Sequence, residues 1–97
     1  MATYIVLSSF TDQGVRNVKD TTKRADAVRE LAKKFGATAK EIFWTLGRYD
    51  VVAIFEAPDD VSMTALGLAL GAAGNVRTQT LRAFSKEEMN GVLAKLT

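Results

Sequence analysis

The stretch Thr38–Glu56, TAKEIFWTLGRYDVVAIFE, decides the fold. Two runs rich in β-branched and aromatic residues, Thr38–Leu46 and Val51–Glu56, flank Gly47-Arg48-Tyr49-Asp50, and a short glycine-bearing break between such runs marks a hairpin. With Gly47-Arg48 as a two-residue turn, Trp44 opposes Val51 and Phe43 opposes Val52. One face then carries Ile42, Trp44, Leu46, Tyr49, Val51, Ala53 and Phe55, apolar except for the phenol. The other carries Glu41, Phe43, Thr45, Asp50, Val52, Ile54 and Glu56, an apolar centre between polar ends. A sheet wetted on one side alternates more cleanly than this. The pattern therefore predicts a sheet covered on both faces, the second most economically by the same face of another copy.

Working outward, Thr3–Phe10 reads as a first strand, and Asp12–Lys19 as at most a short helical turn. Asp20 or Thr21 caps a helix whose apolar residues Ala25, Val28, Leu31, Ala32 and Phe35 recur at helical spacing, with Gly36 as its stop. On the other side, Ala57-Pro58-Asp59-Asp60 ends the third strand, and either aspartate caps the next helix. There Met63, Leu66, Leu70 and Ala73 form a stripe, but the opposite side is apolar too, which predicts burial on more than one side. Gly67 and Gly71 share a face of that helix and predict close approach of another backbone. Val76–Phe84 is the fourth strand. Ser85 and Glu88 form a capping box that opens a last helix with a narrow stripe of Met89, Val92, Leu93 and Leu96. The order β-α-β-β-α-β predicts an α+β, ferredoxin-like sandwich: a four-stranded antiparallel sheet, both main helices on one face, and an extra C-terminal helix.

The 97 residues suffice for one domain, read as spanning 1–97, and an apolar share of 47% with 25% charged residues is that of an ordinary soluble protein. The chain has no cysteine and no histidine, which excludes disulfides, thiolate nucleophiles, His-based triads and histidine-ligated zinc or haem. No metal or cofactor is expected. A net charge of +2 carries no preference for nucleic acid or membrane. RNA-recognition domains share this strand order, but Val51 and Val52 stand where their stacking aromatics belong. The N-terminus lacks a signal-peptide pattern, Val61–Val76 is too short and interrupted for a membrane span, and the expected location is the cytoplasm.

Three segments, Ala2–Ala37, Lys40–Asp60 and Leu70–Ser85, together resemble the GYD-domain family, small bacterial proteins with a glycine-tyrosine-aspartate signature. Here Gly47, Tyr49 and Asp50 match that signature, with Arg48 inserted. The resemblance implies a dimeric α+β barrel and no established reaction. Gly47–Phe84 is more distantly similar to the amino-acid-sensing domain of Lrp/AsnC-type regulators, without their DNA-binding segment. The same fold also serves small cofactor-free monooxygenases and muconolactone-isomerase-like enzymes.

From the residues themselves, the expected ligand set is Trp44, Tyr49, Asp50, Arg77 and Arg82, around a cavity between the sheets of a homodimer or higher oligomer. Arg77 and Arg82 lie on opposite faces, so one of them suits an anion. The expected function is a homo-oligomeric module binding a small apolar or anionic molecule. The alternative is a cofactor-independent enzyme, with Asp50 as proton acceptor and Tyr49 as donor, beside the plain reading of both as a polar hairpin tip.

Overall fold

The computed structural model describes residues 1–96. The elements run β1 (Ala2–Phe10), α1 (Asp12–Arg16), a 3-10 turn (Val18–Asp20), α2 (Thr21–Lys34), β2 (Thr38–Trp44), β3 (Val51–Ala57), α3 (Asp60–Ala72), β4 (Val76–Ala83) and α4 (Lys86–Ala94). The strands form one antiparallel sheet in the order β2-β3-β1-β4, the ferredoxin-like arrangement.

Local chemistry fixes most of the element ends. The Asp59 side chain accepts the Ser62 amide at the start of α3, and Ser85 and Glu88 make both bonds of a capping box on α4. Gly36 and Gly74 take positive φ, at 72° and 86°, just beyond α2 and α3. The side-chain cap expected on α2 is not made: Asp20 stands at the cap position without a side-chain hydrogen bond, because the 3-10 turn runs straight into Thr21.

One face of the sheet carries the core. Tyr4, Val6, Ala53, Phe55 and Ala57 pack under Ala32 of α2 and under Met63, Leu66 and Leu70 of α3. Phe55, Met63, Leu66 and Val6 are the largest fully buried side chains. Each contributes about 1.5–3 kcal/mol through burial. Val28, Leu31 and Phe35 of α2 are partly buried against this core, at the predicted spacing.

Three details differ from expectation. β2 stops at Trp44, and Leu46 is fully exposed instead of lying on the helix-side face. The register is as predicted, Phe43 against Val52 and Trp44 against Val51, and it persists to a Thr45 N–H to Asp50 C=O bond of 2.9 Å. Residues 46–49 then leave the ladder as an open loop rather than a two-residue turn. Next, α3 is not buried on two sides within the chain, since Val61 and Leu68 are 79% and 71% exposed. Finally, nothing lies within 4 Å of where a Cβ on Gly67 or Gly71 would sit, so no backbone of this chain approaches them. The close approach occurs at Gly14 instead, where a Cβ would stand 2.1 Å from the Asn75 carbonyl oxygen.

The two outer strands are unlike. β2 carries a bulge between Ala39 and Glu41 that leaves Lys40 without a partner residue on β3. The Arg29 guanidinium donates to the Ala39 carbonyl at 2.6 Å, and Lys40 pairs with Glu56 at 3.3 Å. β4 is regular throughout its eight residues. Beyond it α4 projects from the body. The molecule measures 52 × 30 × 18 Å with a radius of gyration of 14.5 Å, against about 12.5 Å for a compact chain of this length.

Candidate functional site

The glycine-tyrosine-aspartate stretch forms a clasp over the end of the sheet. Gly47 adopts φ 116°, a conformation that favours glycine, and so turns the loop. Asp50 is stitched to β1 twice: its amide donates to the Ser8 carbonyl at 2.8 Å, and its carboxylate accepts the Phe10 amide at 2.8 Å. The Thr45 hydroxyl donates to the Tyr49 carbonyl at 2.6 Å. The Tyr49 hydroxyl donates to Gln79 Oε1 of β4 at 3.0 Å, while Arg48 lies 5.8 Å over its ring. One loop thus joins β3, β1 and β4. Asp50→Ala leaves the Phe10 amide without its acceptor and is expected to cost about 2 kcal/mol in urea unfolding, whereas Asp50→Asn, which keeps a carbonyl oxygen there, costs about half as much.

Away from the helices the sheet is open. Its centre is Ile5, Leu7, Val52 and Ile54, half-buried by their neighbours alone, with Phe43 52% and Leu81 41% exposed on either side. Polar groups close both ends: Ser9, Arg77, Gln79 and Tyr49 at one, Lys40 and Glu56 at the other. The stripe of α4 is bare as well, since Met89, Val92, Leu93 and Leu96 are all exposed.

The five expected ligand residues are not gathered in one place within the chain. Tyr49 and Arg77 share one end of the open face, and Asp50 supports the loop behind them. Trp44 lies on the helix side, where its indole N–H donates to the Thr21 hydroxyl at 2.9 Å. Arg82, also on the helix side, sits at the far end of β4, over Tyr4 and Phe84 and ion-paired with Glu88 at 3.0 Å.

Over residues 4–93 the chain matches the family model of the GYD domain. The chain belongs to the GYD-domain family. A protein of Thermus thermophilus named "Glutamine synthetase and cystathionine beta-lyase binding protein" is 37% identical over 85 residues, which cover 87% of this chain and 90% of that relative. Among the described residues of this GYD domain no helix is long and apolar enough to cross a membrane.

The GYD domain holds a second polar cluster that sequence reasoning missed. The buried Tyr4 hydroxyl donates to Asp60 Oδ1 at 2.5 Å, across 56 residues of sequence, with Arg82 5.7 Å over the ring. No local pattern signals such a pair; the one visible hint was two adjacent aspartates where capping needs one. The Asp60 carboxylate, by accepting the phenol hydrogen bond, and then burial raise the Tyr4 pKa above its usual 10. The folded state therefore holds this proton more tightly than the unfolded chain. Its contribution to stability is whole below pH 10 and declines as pH rises toward the folded pKa. Thermal melts between about pH 9 and 11 should show a fall that is shallower in Tyr4→Phe.

Proposed function

We propose that this GYD-domain protein is a binding module that pairs with a second copy through the open face of its sheet and holds a small apolar or anionic molecule in the space between the two sheets. The observation that carries the reading is the open face itself: a contiguous apolar centre, closed at both ends by polar side chains, with none of the described helices above it. Its burial against an identical face would hide Phe43 and Leu81 from water and set Tyr49 and Arg77 at the rim of a shared cavity. The location we assign is the cytoplasm, in keeping with a cysteine-free chain. Sedimentation equilibrium at micromolar concentration should give twice the chain mass or more. A thermal-shift screen of metabolites should then find compounds whose stabilisation grows with concentration. A monomer at those concentrations would sink the reading.

A second reading extends it to protein partners. The Thermus relative is named for binding two enzymes, and the likeness covers nearly the whole of both chains. The exposed stripe of α4 offers a surface of the amphipathic kind that such contacts use. Deleting residues 86–97 should abolish capture of a protein partner while leaving the sheet folded. The enzyme alternative draws less support, because the Asp50 carboxylate is already engaged by the Phe10 amide.

A further inference from the structure

Between the first half of α2, α3 and the helix-facing side of β1 and β3 the core leaves a cavity of about 80 Å³. A water takes roughly 10–15 Å³ of such space, so the cavity suits a molecule of about five to eight non-hydrogen atoms. A second hollow of about 180 Å³ adjoins it between α2 and α3, sharing Arg24, Val28, Leu70 and Val76, and offers a way in from solvent.

The cavity is polar at one end only. Trp44 bonds Thr21 and stands opposite Val51, which stands opposite Ser8, so Ser8 and Thr21 share an end. Arg24, one turn on from Thr21, leans back toward the same end, where its guanidinium meets Asn17 and Gly14. Val6, Ala53 and Phe55, farther along the two strands, and Val28, farther along α2, make the other end apolar.

Two groups at the polar end lack what their chemistry calls for. Ser8 is 7% exposed, yet nothing among the described residues bonds its hydroxyl, which opens onto the cavity. A buried hydroxyl without a partner is costly. Arg24 is half-buried and fixed: its Nη1 donates to the Asn17 carbonyl at 2.6 Å and its Nη2 to the Gly14 carbonyl at 3.3 Å. Both partners are neutral, and no carboxylate among the described residues pairs with it. Of the five N–H groups on its guanidinium three remain. A single trapped water would satisfy the serine, but would leave the cation without an anion and the apolar end empty.

From these features we propose that the cavity binds a short-chain aliphatic monocarboxylate, of about four to six carbons by its volume. The carboxylate takes the Ser8 hydroxyl and the spare N–H groups of Arg24, and the alkyl chain lies among Val6, Val28 and Phe55. An alcohol of the same length answers the serine but not the cation. The site lies within one chain, on the opposite side of the sheet from the open face, so it is separate from the space proposed between two sheets and does not depend on pairing.

The test is calorimetric titration of the full chain with straight-chain carboxylates from acetate to octanoate, each beside the primary alcohol of the same length. Affinity should rise about fourfold per methylene up to about four to six carbons and fall beyond. The best carboxylate should reach a Kd below about 1 mM, and its alcohol should bind at least about tenfold more weakly. Ser8→Ala and Arg24→Gln should each lower carboxylate affinity about tenfold or more, and Arg24→Gln should leave alcohol binding unchanged. Ile54→Arg, on the far side of the sheet, should bind as the parent does. Urea unfolding without ligand checks that the variants fold. No binding of any carboxylate at about 10 mM, affinity indifferent to chain length, or full affinity in Ser8→Ala or Arg24→Gln would each overturn the proposal. Loss of binding in folded Ile54→Arg would overturn it too, because the ligand would then sit between two sheets.

Discussion

Ile54→Arg should leave the chain folded and single. Ile54 sits at the centre of the open face, opposite Ile5 on β1 and Glu41 on β2, and its side chain points away from the core. In the isolated chain an arginine there reaches water and has Glu41 beside it, so the melting temperature of the monomer should hardly change. Across a two-fold axis the substitution acts twice, placing two guanidinium groups in one apolar contact. Like charges brought together at an interface cost several kcal/mol, so the dimer Kd should rise at least about a hundredfold. Sedimentation equilibrium across a concentration series reads this directly. If the variant associates as the parent does, the open face is not the contact, and the cavity proposed between two sheets goes with it.

Gly14→Ala should cost about 3 kcal/mol. The new methyl group would stand 2.1 Å from the Asn75 carbonyl oxygen, a backbone atom with no rotamer to escape into. Two bonds depend on the same approach: the Thr11 amide donates to the Asn75 carbonyl at 3.1 Å, and the Thr11 hydroxyl donates to the Gly74 carbonyl at 2.5 Å. Relieving the clash means moving α1 off the α3–β4 turn and stretching both. For a domain of this size the loss corresponds to a fall of about 15 °C in Tm. Gly67→Ala is the matched control. Its new methyl meets nothing within 4 Å, and the helix gains about 1 kcal/mol, so thermal melts should move in the opposite direction.

The fold was legible because its signals are local. Strand pairing at Phe43–Val52 and Trp44–Val51 follows from centring the hairpin on Gly47-Arg48, and the starts of α3 and α4 from Asp59, Ser85 and Glu88. Each of those features spans a handful of residues. The polar groups were harder to read. Tyr49 looked like a helix-side residue in an ideal hairpin, yet the turn at Gly47 lets its hydroxyl reach Gln79 on β4. Trp44 meets Thr21 and Tyr4 meets Asp60 across 23 and 56 residues. Such contacts are decided by how layers pack, and no periodicity records them. Gly67 and Gly71 showed the same limit: their spacing pointed to an approaching backbone, and only the packed chain shows that the approach is made at Gly14.

The bulge in β2 has a consequence for growth at high concentration. Lengthening a sheet by head-to-tail addition of identical copies requires the outer edge of β2 to meet that of β4. A kinked strand with a lysine out of step offers a poor template for the regular one. Growth of the sheet by adding copies at the β2 edge is therefore disfavoured, and the bulge guards the chain against fibres built strand by strand in that direction.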